Sequence, residues 1–487
     1  MHAPSANYLS GLLIELCKQP AETGWLEFKE NNDSPEDIGE YLSALSNTAA
    51  LLGKAQAYLV WGVRDATHEI VGTTFRPSLA KKGNEHLESW LTRLLDPKFH
   101  FRFHEFTHAG KPIALLEIPR ASHRPTQFQG IDYIRVGSCR KKLKDHPQLA
   151  KDLWRVFDTT PFEELIAVAH VDDATVLSLL DYPSYFELLQ QPHPEDRAKI
   201  LARLADSRLI VANPAGQWDV TRLGAILFAR DLDEFPALAR KAVRVIVYEG
   251  KGRLKTLREE VVRKGYATGF TQLIELLRAL LPRSESVGAA LRRAVPTYPE
   301  DAIRELIPNA LIHQDFSVTG SGPMIEIFSD RLEITNPGAP LVSPDRFLDT
   351  PPRSRNEALA SFMRLAGICE ERGSGIDKVV AATERLQLPA PLFEKPDGFT
   401  RAVLFAHKPL RAMTRSERAH ACYLHASLRY VERDPMTNSS LRARFGIAEQ
   451  NSATVSRIMR EAMEDGLIKP YDPNQGRKYA RYIPHWA

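Results

Sequence analysis

The 487-residue sequence has few cysteines, no long apolar run and little net charge. Its four cysteines stand far apart and form no Cys-x-x-Cys pair, which argues against a zinc site or a disulfide framework: Cys17, Cys139, Cys369 and Cys422. No apolar run approaches the ~20 residues that a membrane helix needs. With Lys+Arg at 64 and Asp+Glu at 61, a net charge of +3 excludes a histone-like polycation. The opening residues lack the basic and apolar regions of a secretory signal. We therefore expect a cytoplasmic protein with reduced thiols and no membrane partner.

The length predicts three or four domains, at ~100–200 residues each. Residues 1–150 show mixed helix and strand patterns, and residues 151–237 are mainly helical and end in a hairpin similar to a winged helix. Residues 238–408 alternate between strands and helices, and residues 411–487 read as a separate helical domain. The predicted fold class is a multidomain α/β protein.

Acidic residues near the N-terminus form the first candidate site. Alternation along the predicted strand puts Glu27 and Lys29 on one face, and we expect that face to open into a cleft. Glu22 precedes this strand, and Asp65 follows the next one. Three carboxylates could hold Mg²⁺ or Mn²⁺, while Lys29 could neutralise charge on a phosphate. A Glu-x-Lys triplet also arises by chance on surface strands.

The segments 22–29, 45–48, 61–65 and 133–138 together resemble the Schlafen-type AlbA-like domain, over about residues 8–145. The nuclease members of that family hold a metal with two glutamates five positions apart and an aspartate about forty positions later. Glu22, Glu27 and Asp65 match this pattern. The resemblance implies metal-dependent cleavage of RNA, often tRNA, although other members only bind nucleic acid. One departure is that no Gly-Gly turn follows Asn47 and Thr48.

A dense group of basic residues lies on and after the last strand of this domain. We expect it to follow a phosphate backbone, with Arg120 and Arg124 adding to the same surface. The alternative is a solvated edge that discourages sheet pairing. The group comprises Arg135, Arg140, Lys141, Lys142 and Lys144.

A second candidate site lies in residues 238–408. Glu305 and Asn309 are four residues apart on a predicted helix, and so share one face. Gly373 and Gly375 precede another helix, where free backbone N–H groups can bind phosphate.

The stretch from Arg304 to Ser317 resembles the GHKL-type ATP-binding module that accompanies Schlafen-like domains in bacteria. The resemblance implies Mg²⁺–ATP binding, with Glu305 as general base, Asn309 at the metal and further contacts from the segment Asn336–Gly338. Asn336 replaces the usual adenine-binding aspartate, so ATP affinity and hydrolysis are weakened in this interpretation. The alternative is a scaffold without turnover. The sequence lacks a GxxxxGK[ST] phosphate loop, which argues against a motor helicase.

Residues 411–487 have the pattern of a winged helix-turn-helix. Thr437 can cap a helix, Gly446 permits a turn, and the next helix bears Arg457 and Arg460. This region holds 13 Lys and Arg against 8 Asp and Glu, a net charge of +5. We expect nucleic-acid binding through Arg457 and Arg460, with a protein-contact role as the alternative.

Two functional hypotheses follow. The first is a Schlafen-like metal-dependent nuclease, acting on RNA, regulated by ATP and suited to phage defence or stress response. The second is an ATP-sensing, DNA-binding transcriptional regulator whose carboxylates are incidental. Under either hypothesis, the GHKL resemblance implies a homo-oligomer.

Overall fold

The computed structural model describes residues 6–19, 23–122, 124–159, 161–213, 216–287, 292–351, 353–370, 373, 375–474, 476 and 480–487. The α-helices are α1 (Ala6–Cys17), α2 (Pro35–Leu51), α3 (Leu87–Leu94), α4 (Pro147–Thr159), α5 (Asp173–Leu179), α6 (Tyr182–Leu188), α7 (Arg197–Asp206), α8 (Arg222–Phe228), α9 (Phe270–Leu280), α10 (Glu300–Ile312), α11 (Glu357–Leu365), α12 (Gly375–Arg385), α13 (Arg415–Val431), α14 (Asn438–Phe445) and α15 (Ser452–Glu464). The strands are β1 (Leu26–Lys29), β2 (Gln56–Trp61), β3 (Lys81–Lys82), β4 (Glu85–His86), β5 (Leu95–Asp96), β6 (Arg102–His108), β7 (Lys111–Pro119), β8 (Gln127–Phe128), β9 (Ile131–Val136), β10 (Cys139–Lys142), β11 (Ile166–Val171), β12 (Ile210–Ala212), β13 (Trp218–Thr221), β14 (Val243–Tyr248), β15 (Thr256–Val262), β16 (Arg283–Val287), β17 (Arg292–Pro296), β18 (Met324–Ile327), β19 (Arg331–Pro337), β20 (Leu392–Glu394), β21 (Phe399–Phe405), β22 (Ile468–Pro470) and β23 (Tyr482–Pro484). The chain is a mixed α/β multidomain protein, as predicted. None of the helices among the described residues is long and apolar enough to cross a membrane.

The chain divides into two compact units. The first unit comprises Met1–Asp173 and Ala205–Thr221, and the second comprises Ala174–Leu204 and Arg222–Ala487. The segment 151–237, expected to be one domain, therefore contributes strands to the first unit and most of its helices to the second.

The first unit is built on a four-stranded sheet of order β1-β2-β7-β6. Strand β1 runs parallel to β2, and the other neighbours are antiparallel. Leu26 and Phe28 pack under α1 on one face, as the alternation predicted. The opposite face packs against α2 and α3. Glu27, which alternates with these apolar residues, therefore lies on the α2 side.

A second sheet of the first unit has the order β10-β9-β8-β5. Helix α2 packs against β9, so this helix connects the two sheets. A small core joins the end of α2 to the segment that follows β10 and to α4: Ala50, Ala121, Ile134, Leu143 and Leu153. A third sheet, of order β11-β13-β12, belongs to the same unit.

The second unit is built on a six-stranded sheet of order β15-β14-β18-β19-β21-β20. Its strands β14 and β18 run parallel, and the other neighbours are antiparallel. Helix α10 packs against β19 and against α12. The alternation of strands and helices expected in residues 238–408 is present in this sheet and in α9, α10, α11 and α12.

The last 77 residues form α13, α14, α15 and the β22–β23 hairpin. Thr437 caps α14 in a reciprocal capping box, and Gly446 ends it at a positive φ of 63°. Most of the buried residues of one hydrophobic core lie on these helices and the hairpin. They share one hydrophobic cluster with α12, which contributes Val380, and with Leu348 and Ala390. The expected order of helices and hairpin is present, and its assignment as a winged helix stays a prediction.

Candidate functional sites

Glu27 lies in a buried ion-pair network. Its carboxylate is 2% exposed and accepts hydrogen bonds from Lys29 at 2.5 Å and from the Tyr41 hydroxyl at 2.6 Å. The other carboxylate oxygen pairs with the guanidinium of Arg135, which is itself 5% exposed. Tyr41 lies beneath the cations, with the guanidinium carbon of Arg140 4.6 Å from its ring centre. The expected open cleft at Glu27 is therefore occupied by neighbouring side chains, because β1 is covered by α2 and β9.

This arrangement does not suit a divalent metal. Both oxygens of Glu27 already accept from donors, and two of those donors are cations that would repel Mg²⁺ or Mn²⁺. Asp65 lies exposed in the turn after β2. Glu22 lies outside the described residues. Within the described part of the chain, no three histidine, cysteine, aspartate or glutamate side chains stand close enough to hold a metal ion.

Asn47 and Thr48 serve to attach α2 to the second sheet. The Asn47 amide donates to the backbone carbonyls of Thr126 and Tyr133, each at 2.9 Å, and accepts from the Thr126 N–H at 2.7 Å. Thr48 accepts from the backbone N–H of Arg135 at 3.0 Å. These bonds fix the position of Arg135 relative to α2. The role of the Asn-Thr pair is thus to position the partner of Glu27.

The basic group divides according to exposure. Lys141, Lys142 and Lys144 are exposed, as a nucleic-acid surface requires. Arg140 is partly buried and pairs with Asp37 and Glu40, both at 2.7 Å. Arg135 departs from the expectation of a surface cation, because its guanidinium is buried against Glu27.

The two outlying arginines also differ. Arg124 is exposed and pairs with Asp96 at 2.5 Å. Arg120 is partly buried, and this burial lowers its pKa. Only part of the predicted basic surface therefore presents unburied charge.

The second candidate site brings Glu305 and Gly375 together. A Cβ built on Gly375 would lie 2.1 Å from Glu305 Oε1, so the carboxylate rests against the first residue of α12. Burial raises the pKa of Glu305, while nearby Lys378 opposes the shift. Asn309 lies one turn further along α10 and is partly buried. Two of the predicted nucleotide-binding segments thus meet where α10 packs on α12, and Gly373 is exposed just before this helix.

Asn336 and Gly338 lie at the end of β19. Asn336 is 4% exposed, and its amide donates to the carbonyl of Pro337 at 3.2 Å. Gly338 has a φ of +101°, and a Cβ there would lie 2.7 Å from Asp315 Cβ and 2.8 Å from Arg355 Nη1. Only glycine fits this position. The segment 336–338 is therefore held tightly against the loop that follows α10.

Helix α12 links the candidate nucleotide site to the C-terminal helices. Near its far end, Glu384 accepts from His425 Nδ1 at 2.9 Å and lies 3.5 Å from Arg444 Nε. Arg444 also donates to the carbonyl of Leu388 at 2.6 Å. The helix thus carries Gly375 at one end and a buried polar joint at the other. Arg457 and Arg460 are exposed on α15 of the same C-terminal region.

Sequence reasoning missed a buried polar cluster centred on His170. This residue has a positive φ of 55°, and its Nε2 bonds Glu117 at 2.5 Å. Its Nδ1 bonds the Tyr8 hydroxyl, and its backbone N–H donates to Asp219 at 2.9 Å. His104 bonds the other oxygen of Glu117 at 3.1 Å. The members come from α1, β6, β7, β11 and β13, so no local spacing indicates them.

The titration of this cluster follows from its contacts. Burial alone would raise the pKa of Glu117, but hydrogen bonds from His104 and His170 outweigh it and lower the pKa to about 2. Burial opposes protonation of His170, yet its bond to Glu117 prevails and raises the pKa. Burial raises the pKa of Asp219. The two histidines therefore favour the ionised carboxylate of Glu117, and that carboxylate in turn favours the protonated form of His170.

Two family models match this chain. Residues 22–144 match the family described as "Schlafen, AlbA_2". Residues 320–404 match HATPase_c_4, described as "Putative ATP-dependent DNA helicase recG C-terminal". A comparison with curated proteins found no match.

Two solved structures show weak similarity. The DIP2311 protein from Corynebacterium diphtheriae is 17% identical, with 98% of this chain and 96% of that chain covered and a TM-score of 0.42. The second is the N-terminal domain of a "Putative ATP-dependent DNA Helicase RecG-related Protein" from Nitrosomonas europaea. It is 22% identical, with 28% of this chain and 93% of that chain covered and a TM-score of 0.20. Residues 22–144 are a Schlafen AlbA_2 domain and residues 320–404 an ATPase-like HATPase_c_4 domain, a pairing that associates this chain with nucleic acid and with ATP.

Proposed function

We propose that this chain is an ATP-responsive nucleic-acid-binding protein, of the kind expected for a regulator rather than a nuclease. One observation carries the proposal: Glu27, the central carboxylate of the expected metal centre, is the buried counter-ion of Arg135. A catalytic ligand must be able to release its protein partners when a metal arrives. Releasing Arg135 would leave a buried guanidinium without its carboxylate, which is costly.

In this proposal the AlbA_2 domain binds nucleic acid through exposed lysines, and the C-terminal region adds Arg457 and Arg460. The lysines are Lys141, Lys142 and Lys144. Exposed cations of this kind release counterions when they meet a phosphate backbone, so binding should weaken steeply with salt.

The nucleotide site would use Glu305, Asn309 and Gly375. Bound Mg²⁺–ATP would supply phosphate charge at the start of α12, where helix N–H groups favour an anion. Asn309 offers an amide oxygen as a metal ligand, and Glu305 is placed to accept a proton from water. Burial raises the pKa of Glu305, which makes its carboxylate a stronger base. Helix α12 leads from this site to the C-terminal region, so nucleotide binding could alter nucleic-acid affinity. The GHKL resemblance also favours a homo-oligomer, and we place the protein in the cytoplasm.

The alternative of a metal-dependent nuclease is favoured by one feature, the spacing of Glu22, Glu27 and Asp65. The test incubates the purified chain with labelled tRNA, single-stranded RNA and duplex DNA, with Mg²⁺ or Mn²⁺ and with or without ATP. Binding is read by fluorescence anisotropy and cleavage on denaturing gels.

The matched variant is Glu22→Gln with Asp65→Asn, which removes two expected metal ligands and leaves the Glu27–Arg135 pair intact. The proposal predicts binding without cleavage, equal in both proteins, and an affinity that changes with ATP. Cleavage by the unaltered chain that this variant abolishes would overturn the proposal in favour of the nuclease. Light scattering on the same samples tests the oligomer.

A further inference from the structure

Trp154 is a large aromatic side chain left in solvent on α4 of the first unit. It is 48% exposed, whereas Trp61 and Trp90 of the same unit are buried. The ring of Phe157 meets it nearly at a right angle, at 5.7 Å between centres, and so restrains its orientation. An exposed aromatic face of this kind can stack on a nucleobase.

Cations surround this tryptophan on its own helix. Lys151 and Arg155 are exposed, and the spacing of three and four residues puts Lys151 on the same side of α4 as both Trp154 and Arg155. Arg155 lies 3.6 Å from Asp152, a surface pair that is worth little energy. The exposed face of α4 therefore carries an aromatic ring, two cations and one acidic residue, Asp152, which partly offsets Arg155.

One small hydrophobic core connects α4 to the segment that carries the predicted basic group. Leu153, next to Trp154, is fully buried in a cluster that also contains Leu143. Leu143 lies between the exposed Lys142 and Lys144. The tryptophan and these two lysines therefore border one core within the first unit.

From this combination we infer that Trp154 is a stacking platform for an unpaired base, so the nucleic acid bound by the first unit is single-stranded. A base can lie on an aromatic face only when it is not stacked within a duplex. Lys142, Lys144 and Lys151 meet the phosphates that adjoin that base. The inference rests on the proposed function and adds the class of nucleic acid.

The test measures anisotropy of labelled homopolymers of about 15 nucleotides, oligo-dT and oligo-rU, and of a duplex of the same length. The proteins are the full chain and the variants Trp154→Ala and Trp154→Phe. Leu79→Ala is the matched control, because Leu79 is a 75% exposed apolar side chain of the same unit. The two homopolymers distinguish DNA from RNA as the source of the base.

We expect Trp154→Ala to weaken single-strand binding by about 5-fold to 100-fold, the effect of losing one stacked base. Trp154→Phe should retain most of the affinity, Leu79→Ala should change nothing, and duplex binding should move little. Unchanged single-strand affinity in Trp154→Ala, or an equal loss on the duplex, would overturn the inference. A chain that binds duplex but neither homopolymer refutes this inference and leaves the proposed function standing, whereas a chain that binds no probe refutes both.

Discussion

Substitution of Glu27 tests most directly whether this carboxylate is structural. Glu27→Gln removes the charge opposite Arg135, which is buried on the same side of β1. Removing one partner of a buried ion pair costs about 3–5 kcal/mol, because the remaining charge loses its counter-ion. Lys29 does not share this penalty, since its side chain is 21% exposed and can turn to water. We therefore expect a loss of about 3–5 kcal/mol of unfolding free energy in the first unit.

The measurement is hydrogen exchange of the amides of β1, α2 and β9, which reads local opening free energies in a multidomain chain. Asp65→Asn is the control, because this exposed carboxylate should contribute within about 0.5 kcal/mol. The double variant Glu27→Gln with Arg135→Met removes both charges, and it should recover part of the loss.

If Glu27 is instead a metal ligand, Glu27→Gln should have the opposite effect on stability. In a metal-free cluster of carboxylates, neutralising one member relieves repulsion and leaves stability unchanged or higher. A cost for Glu27→Gln no greater than that for Asp65→Asn would refute the structural interpretation and return Glu27 to the metal centre.

Three further predictions concern other sites. For the His170 cluster, stability from the raised histidine pKa is fully present below the unfolded value of 6.5 and is lost as pH rises through the folded value. Stability from Glu117 is present above pH 4.5 and is lost as the pH falls towards about 2. On the alkaline side, the melting temperature of His170→Gln should fall less than that of the unaltered chain, because the variant lacks the imidazole whose pKa is raised. Gly375→Ala should displace the Glu305 carboxylate and weaken ATP binding by calorimetry without unfolding the chain, since the clash is with the end of a flexible side chain; unchanged ATP affinity would contradict this. Glu384→Gln should cost about 1–3 kcal/mol by denaturant unfolding, because it weakens the partly buried hydrogen bond to His425 and the ion-pair contact with Arg444; a shift below about 0.5 kcal/mol would show that the joint is not stabilising.

The sequence predicted most elements of the fold and only part of the site. Strand β1 and helix α10 follow from residue periodicity, which indicates which side chains share a face. The same periodicity put Glu27 and Lys29 on one face correctly. It could not show that this face lies under α2 and β9, because Arg135 is 108 residues away along the chain.

Sequence reasoning missed Tyr41 and His170 for the same reason, because their partners are distant along the chain. Tyr41 completes the Glu27 network from α2, and nothing in its neighbouring sequence distinguishes it from a core aromatic. His170 meets Tyr8 across 162 residues and Glu117 across 53. The meeting of Glu305 with Gly375, in contrast, was expected, because the sequence analysis assigned both to one candidate site.

The common core of α12 and the C-terminal helices constrains how this architecture can change in evolution. Val380 lies in one cluster with residues of α13, α14 and α15, and Gly446 packs against Gln387 just beyond α12. Exchange of the last 77 residues by recombination would expose apolar side chains of α12 and its neighbours that now pack against the C-terminal helices. It would also remove His425 and Arg444, the partners of Glu384. The two regions should therefore be inherited together, and a new recognition specificity should arise through substitutions on the exposed face of α15 rather than by exchange of the whole C-terminal region.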